Sequence, residues 1–532
     1  MHRRLDRPSH RSTRWRRALA GALACAATAG TAGNSPAYEA EAGAVKLDAD
    51  ASAKLRTVLR FDDSTPTEYP TFDLGLHAEA ELGSKAKIVT RTLLRSDGTV
   101  LEPTNDHIVH NFRSVFQDST PYVEFEEAYL DLELPASALR AGIQKFAWGK
   151  LDAQNPTDRL NPAEFTRPLD EIESASKIGI PAVDYKFIPD QVTSTGPFEM
   201  MVLEGVFLPI AGSFRLPTEE ERWYPPLLRI PQQVIVDPGL LSDQPPFDRL
   251  SPFPVTTNLT VSEGDPLSVS SDHFQWAAQW TAFVGGFDID VSYFDGYDTI
   301  PTGELSGTMT SYSPGLGTAP TVTADMTFTP RLDRIRLFGG GFSTSAWDLT
   351  IKGNFAYIQG RRFNYDISTD TLFTNPNFVD FQPLVEQFLA DFPEKYFNQT
   401  LPIPAIPISV ERDTVNSGLQ VEYVTGDWVF DVVGYLDVML DPAPGLIQEQ
   451  LEGRLLLQMR RSFLRETLTV DLTSVWIMAR GEFVVMPKLA YQILDGLTAE
   501  AGVLVIEGPD DGLLGQFRRN DEAFANVIYA WQ

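Results

Sequence analysis

FDLGLHAEAEL, residues Phe72–Leu82, is the stretch that decides the fold. Phe72, Leu74, Leu76, Ala78, Ala80 and Leu82 share one parity, and Asp73, Gly75, His77, Glu79 and Glu81 share the other. Apolar residues at every second position mark a strand with one greasy and one ionic face, since a helix would repeat every 3.6 residues. The next segment repeats the pattern less cleanly. Ala86, Ile88, Thr90, Thr92 and Leu94 oppose Lys85, Lys87, Arg91 and Arg95, with Val89 and Leu93 interrupting the cationic side. Further on, Ala128, Leu130, Leu132 and Leu134 oppose Glu127, Tyr129, Asp131 and Glu133, and Phe287, Ile289, Val291 and Tyr293 oppose Asp288, Asp290 and Ser292.

Working outward, strands are expected at Leu55–Phe61, Leu139–Trp148, Glu199–Leu208, Phe274–Val284, Arg334–Phe342, Trp347–Ile358, Gly418–Val424, Trp428–Val438, Leu455–Phe463, Thr467–Ile477, Pro487–Ile493, Thr498–Glu507 and Glu522–Trp531. Soluble sandwiches and propellers alternate too. In a sandwich, however, some strands are covered on both faces, whereas the charged face here persists from strand to strand, as in a barrel with a wet lumen. The expected fold is therefore all-β: a single transmembrane antiparallel β-barrel of about 14–18 strands with long extracellular loops.

The ends and the composition agree with that fold. Residues 1–17 hold seven arginines against Asp6, Ala18–Ala32 is small and apolar, and Ser35-Pro36-Ala37 offers a small-residue cleavage site. Residues 1–37 thus read as a signal peptide and 38–532 as the barrel, exported to the outer membrane of a Gram-negative bacterium. The one cysteine, Cys25, falls within the signal and has Ala22 where a lipidation motif wants a bulky aliphatic residue; removing 1–37 leaves no disulfide or thiolate site. Those residues carry a net +6, so the formal charge moves from −29 to −35 without them, which argues against nucleic acid as a partner. No run of about 18 apolar residues follows the signal, so no helical span is available.

Gly285-Gly286, Thr425-Gly426-Asp427 and Asp495-Gly496 read as tight turns, while Pro209–Ser271 and Asp366–Arg412 read as long loops, with a short helix expected at Phe381–Ala390. Trp223, Tyr224, Trp347, Trp428 and Trp476 suit interfacial girdles, the first two also suiting a cap over the mouth. Ala525, Val527, Tyr529 and Trp531 share a face of the last strand, an aromatic ending of the kind read by barrel-assembly machinery, although Gln532 follows.

The chemistry-bearing residues fall into two sets. Glu79, Glu81, Lys85, Lys87, Arg91, Arg95, Glu127, Tyr129, Asp131, Arg140 and Gln144 are expected to line a pore, as selectivity-setting charges or as bracing salt bridges of the wall. Asp152, Asn155, Asp158 and Arg159 are expected on a constriction loop that Pro156 and Pro162 stiffen, with Trp148-Gly149 ending the preceding strand at a membrane boundary. No catalytic, metal or cofactor site is expected. His107 and His110 with Asp106 read as a solvated loop, Glu219-Glu220-Glu221 and Asp510-Asp511 lack EF-hand spacing, and neither a nucleophile elbow nor an HExxH motif occurs. The expected partners are outer-membrane lipid and a small solute that diffuses through a monomeric or trimeric channel. A structural or secretion-linked barrel plugged by its loops is the alternative.

Glu127-Ala128-Tyr129-Leu130-Asp131-Leu132, Arg140-Ala141-Gly142-Ile143-Gln144, Trp148-Gly149, Asp152, Asn155-Pro156-Thr157-Asp158, Tyr293-Phe294-Asp295-Gly296-Tyr297-Asp298 and the C-terminal Asp495–Trp531 follow one another along the chain. Together they resemble outer-membrane porin-like proteins related to the alginate-export porins. That resemblance implies a barrel channel and, as a third reading, export of a polymer.

Overall fold

The structure is a computed structural model that describes residues 38–42, 45–62, 70–96, 122–166, 177–189, 198–212, 214–215, 217, 222–226, 233–236, 253–261, 270–312, 321–365 and 399–531. The expected signal segment, His107, His110, Glu219-Glu220-Glu221 and the helix at Phe381–Ala390 lie outside the described residues. The strands, in chain order, are β1 (Tyr38–Ala42), β2 (Val45–Arg60), β3 (Thr71–Leu82), β4 (Ala86–Ser96), β5 (Tyr122–Leu134), β6 (Ser137–Gln144), β7 (Ile180–Phe187), β8 (Met200–Leu208), β9 (Gln233–Val236), β10 (Phe253–Val261), β11 (Gln275–Val284) and β12 (Phe287–Tyr297). They continue as β13 (Thr302–Tyr312), β14 (Thr321–Arg331), β15 (Arg334–Ala346), β16 (Leu349–Asn364), β17 (Gln399–Pro407), β18 (Ser409–Thr425), β19 (Trp428–Met439), β20 (Leu451–Phe463), β21 (Leu468–Ile477), β22 (Glu482–Leu494), β23 (Leu497–Glu507) and β24 (Glu522–Trp531).

Eighteen of these pair antiparallel, each with the next, into a closed ring: β2 to β8, β11, β12, β15, β16 and β18 to β24. The ring shuts where β24 pairs with β2, from Arg60↔Glu522 to Ala51↔Trp531. Below that register β1 takes over the same edge of β2, from Ala49↔Tyr38 to Val45↔Ala42. Closure leaves no open edge in the wall, the condition for strands to cross hydrocarbon.

The faces follow the alternation read from the sequence. Leu76, Leu130, Val291, Phe355, Leu419, Leu457 and Leu489 stand exposed on the outside, while Asp131, Asp184, Asp290, Asn354, Gln420 and Asp471 are buried on the inside. This inverts a soluble core and suits a wall with lipid outside. One bulge keeps the parity right. Arg91 pairs with Glu127 but Thr92 pairs with Phe125, so Glu126 is extra, and Phe125 can face out while Glu127 faces in.

Connections at one end, apart from 188–199, are tight: 83–85, 135–136, 285–286, 347–348, 426–427, 464–467 and 495–496. Gly285 and Gly286 both hold positive φ, the backbone of a two-residue hairpin that matches strand twist. The opposite end carries 145–179, 209–274, 298–333 and 365–408. Two of these, 209–274 and 365–408, are expected as plain long loops and carry strands instead. β9 and β10 from 209–274, β13 and β14 from 298–333 and β17 from 365–408 form a second, five-stranded sheet in the order β17-β13-β14-β10-β9, with β10 parallel to β14. β18 also begins at Ser409, inside the segment expected to be an insert.

Aromatic side chains gather toward both rims. At the tight-turn end Trp428 stacks on Phe430 with centroids 5.5 Å apart and lies under Arg461, and Trp347 is almost fully exposed on its turn. At the other end Phe207 packs against Trp276 and Phe274 at 4.6 and 5.0 Å, and Trp476 is exposed.

Candidate functional site: the barrel interior

The inner face of β2 to β6 is a lattice of opposite charges, set by register. Arg95 lies opposite Asp73, His77 opposite Asp50, Arg91 opposite Glu127 and Arg140 opposite Asp131. The corresponding distances are 2.8 Å for Arg95 to Asp73, 2.8 Å for His77 Nδ1 to Asp50, 3.2 Å for Arg91 to Glu127 and 2.8 Å for Arg140 to Asp131. Lys87 reaches Glu79 at 3.2 Å, and the Arg140 guanidinium lies 5.1 Å from the Tyr129 ring centroid. Water reaches much of this lattice: the side chains of Arg91, Asp50 and Arg140 are 57%, 50% and 40% exposed. Glu81, next to the last residue of β3, is exposed at the tight-turn rim. Lys85 was expected on a strand and is instead in the 83–85 turn, exposed, where its carbonyl accepts from the Glu133 amide.

Beyond Gln144 the chain leaves the wall and crosses the interior, which shortens the strand expected at Leu139–Trp148. Asn161 makes the departure possible, its Oδ1 accepting from the Phe146 amide at 2.6 Å and its Nδ2 donating to the carbonyls of Gln144 and Ile178 at 2.9 Å. Gln144 itself donates to the Ala182 carbonyl at 3.0 Å, stitching β6 to β7. Trp148 is not at a membrane boundary. With Phe146 and Leu160 it is buried inside, against Ile180, Val206, Leu208, Phe294, Ile335 and Leu337. The interior is therefore dry on that side and wet along β2 to β6.

The tip of this segment docks on the far wall. Asn354 on β16 accepts from the amides of Lys150 and Leu151 at 2.6 and 3.2 Å, and Gln420 on β18 accepts from the Asp152 amide at 2.9 Å. The Asp152 carboxylate accepts from Gln420 at 2.7 Å and pairs with Lys352 at 2.5 Å, while Lys150 pairs with Asp288 at 2.8 Å. Leu151 fills a pocket of Val433, Tyr435 and Leu456, and Arg454 donates to Gln154 at 3.0 Å. Glycine allows the close approach. A Cβ on Gly339 would sit 2.4 Å from Thr157 Cγ2, and one on Gly418 would sit 2.5 Å from Leu151 Cδ1.

Asn155 closes the turn, exchanging hydrogen bonds with the Leu151 backbone at 2.9 and 2.8 Å. Asp158 pairs with Lys177; burial pushes its carboxyl above the usual aspartate range, and Lys177 opposes that push. Arg159 lies among Arg361, Asp298, Asp437 and Arg454; burial and then Arg361 lower its pKa from a very high ordinary value. Thus all four residues expected on a constriction do lie on the crossing segment, two as turn and anchor and two as charges. The far-wall partners Asn354, Gln420, Lys352 and Arg454 were not foreseen.

A second segment also enters. Arg222 donates to Glu522 at 2.5 Å, and Arg56 reaches the other oxygen of the same carboxylate at 2.6 Å, all three side chains being buried. Asn520 donates to the Arg222 carbonyl at 3.0 Å, and Trp223 packs among Val484, Met486, Leu504, Ile506, Phe517 and Phe524. Trp223 is thus no girdle residue: it is buried against the inner face of β22 to β24, and Tyr224 beside it is buried as well. Among the described residues no cluster of three or more His, Cys, Asp or Glu is grouped to hold a metal ion. Asp510 pairs with Arg518 at 2.8 Å.

No family model and no curated protein matches the chain. Among solved structures it is similar to OccAB2 of Acinetobacter baumannii, at 11% identity over 91% of this chain and 98% of that one, with a TM-score of 0.42. It is also similar to a BenF-like porin from Pseudomonas fluorescens, at 9% identity over 91% and 98%, with a TM-score of 0.41. A third is the outer membrane channel DcaP of Acinetobacter baumannii, at 8% identity over 93% and 100%, with a TM-score of 0.38.

Proposed function

We propose that the chain is an outer-membrane channel of a Gram-negative bacterium, through which a small solute passes by diffusion. One observation carries this reading: inside a closed ring whose outer face is apolar, ionic side chains on the inner face remain reached by water, Arg91, Asp50 and Arg140 among them. The tight turns and the β1 seam face the periplasm and the long connections face outward, as in barrels of this kind. The segment 145–166 narrows the lumen, and Glu79, Lys87, Arg91, Arg95, Glu127, Asp131 and Arg140 set selectivity along the wet wall. Purified protein in planar bilayers gives discrete conductance steps on this reading, and a barrel silent at all voltages sinks it.

A plugged export barrel is the second reading, and the anchored Arg222–Tyr224 segment favours it. Replacing 218–232 by a short linker discriminates, since conductance appears or rises sharply only if that segment is a plug. For the polymer-export relation that the motifs suggest, a polyanion would want unmatched arginines. Arg95, Arg91 and Arg140 each face a carboxylate, which favours the small solute. The β24 ending at Trp531 is the feature we assign to recognition by the barrel-assembly machinery.

A further inference from the structure

We propose that the outer face of β8, β11, β12 and β15 binds one phosphate-bearing lipid, lipid A of the outer leaflet. Its phosphate rests on Arg334 and Arg336, and an acyl chain lies in the groove below them. This rests on the reading of the outer face as lipid-facing.

Along β15 the outward positions are Arg334, Arg336, Phe338 and Gly340, since Ile335 and Leu337 between them are buried inside. Two arginines on the outside of a membrane wall call for a reason. Their side chains are 40% and 60% exposed. Asp295, opposite Arg336 on β12, takes Arg334 at 2.6 Å and Arg336 at 3.5 Å, so two guanidiniums share one carboxylate and a positive charge is left over. Arg334 also donates to the Phe274 carbonyl at 3.2 Å and lies over the Tyr297 ring. Asp413, at the same end of β18, is occupied by the Tyr357 hydroxyl at 2.5 Å and the Gly360 amide at 3.0 Å. The neighbouring Phe207, Phe274 and Trp276 rings mark headgroup depth, where guanidinium geometry suits phosphate.

Directly below, one strand step of about 7 Å toward mid-wall, an open groove of about 1020 Å³ begins. Tyr185, Leu203, Trp280, Tyr293, Phe338 and Phe355 frame it, and Gly205, paired with Ala278, forms its floor. A Cβ on Gly205 would meet nothing within 4 Å, so this floor is empty space on an otherwise studded surface. A cation above an apolar trough fits an amphiphile with an anionic head. A second copy docking through the same patch about a two-fold axis would bring Arg336 toward its own counterpart, which like charge disfavours.

Native mass spectrometry of the full chain in detergent, with lipid A added, tests the site. The unaltered protein retains one lipid A. Arg334→Gln with Arg336→Gln weakens retention about tenfold or more, as loss of charge-assisted contacts should. Gly205→Phe, which fills the floor, weakens it as well, and dephosphorylated lipid A binds the unaltered protein as poorly. Conductance stays unchanged in all variants. Equal retention by the arginine variants, indifference to the phosphates, or copies joined through Gly205→Cys in place of lipid each overturn the proposal. A protein that conducts but retains no lipid A refutes this inference alone, whereas a silent one refutes the channel.

Discussion

Two segments enter the barrel, and they are held by opposite chemistry. The 145–166 crossing is pegged by the neutral amides Asn161, Asn354 and Gln420, with ion pairs of Lys150, Asp152 and Asp158 interspersed. The Arg222–Tyr224 entry is held by buried ions, two arginines on the one Glu522 carboxylate, beside Trp223. An amide peg loses one or two hydrogen bonds when removed. A buried ion removed from a triad leaves its partners charged in a poor solvent, so the second anchor should break harder although it is smaller.

Glu522→Gln is the severest test of that contrast. It should cost about 3–5 kcal/mol by stranding Arg56 and Arg222, read as a lower denaturant midpoint and new trypsin cleavage after Arg222. An unchanged midpoint would erase the distinction. Asn354→Leu should cost about 1–3 kcal/mol by leaving the Lys150 amide unmet and the Leu151 amide with Asn155 alone, and should give larger, noisier conductance steps while the wall stays folded. If the two variants destabilise equally, the chemistry of the anchor does not matter.

A third test uses acid. Because burial raises the Asp158 carboxyl, it gains its proton at a higher pH than an ordinary aspartate, leaving Lys177 and Arg159 less compensated. Selectivity should therefore turn toward anions as pH falls, with a midpoint above the usual aspartate range, and Asp158→Asn should abolish that step; a midpoint no higher than in other barrels' exposed acids counts against it. The smallest structural effect belongs to the wet wall. Arg91→Gln, at an arginine that is 57% exposed, should change stability by no more than about 1 kcal/mol, as exposed pairs do, yet shift reversal potentials toward cations. A large loss of stability there would make the lattice a brace and not a selectivity surface.

Much of this was legible in the residues. The alternation in Phe72–Leu82 puts Asp73 and His77 on the ionic face, and its recurrence along the chain gives the barrel; the partners Arg95 and Asp50 come from the strand register of the structure. β13 and β14 escaped notice because Thr302–Tyr312 and Thr321–Arg331 are rich in Thr, Ser and Gly and pair with other connections, not with the wall. Trp148 was misplaced for a different reason: an aromatic after a strand suits an interface equally well, and only Asn161, seventeen residues from Gln144, turns the chain inward. The far-wall pegs lie about two hundred or more residues from the amides they hold, beyond any local pattern. A trace was there nonetheless. Gly339-Gly340-Gly341 in mid-strand signals a close approach by something, though not by what.

The seam between β2 and β24 joins residues 466 positions apart. Until β24 arrives, the bare flanks of β2 and β23 are two unsatisfied rows of peptide groups facing oil, a state that hydrocarbon penalises at every rung. A nascent wall that ends before Glu522 is therefore an unfastened collar, tolerated in water or on a chaperone but not in the bilayer. Insertion and fastening are consequently one event, and β24 acts as the clasp that decides whether the rest was worth making.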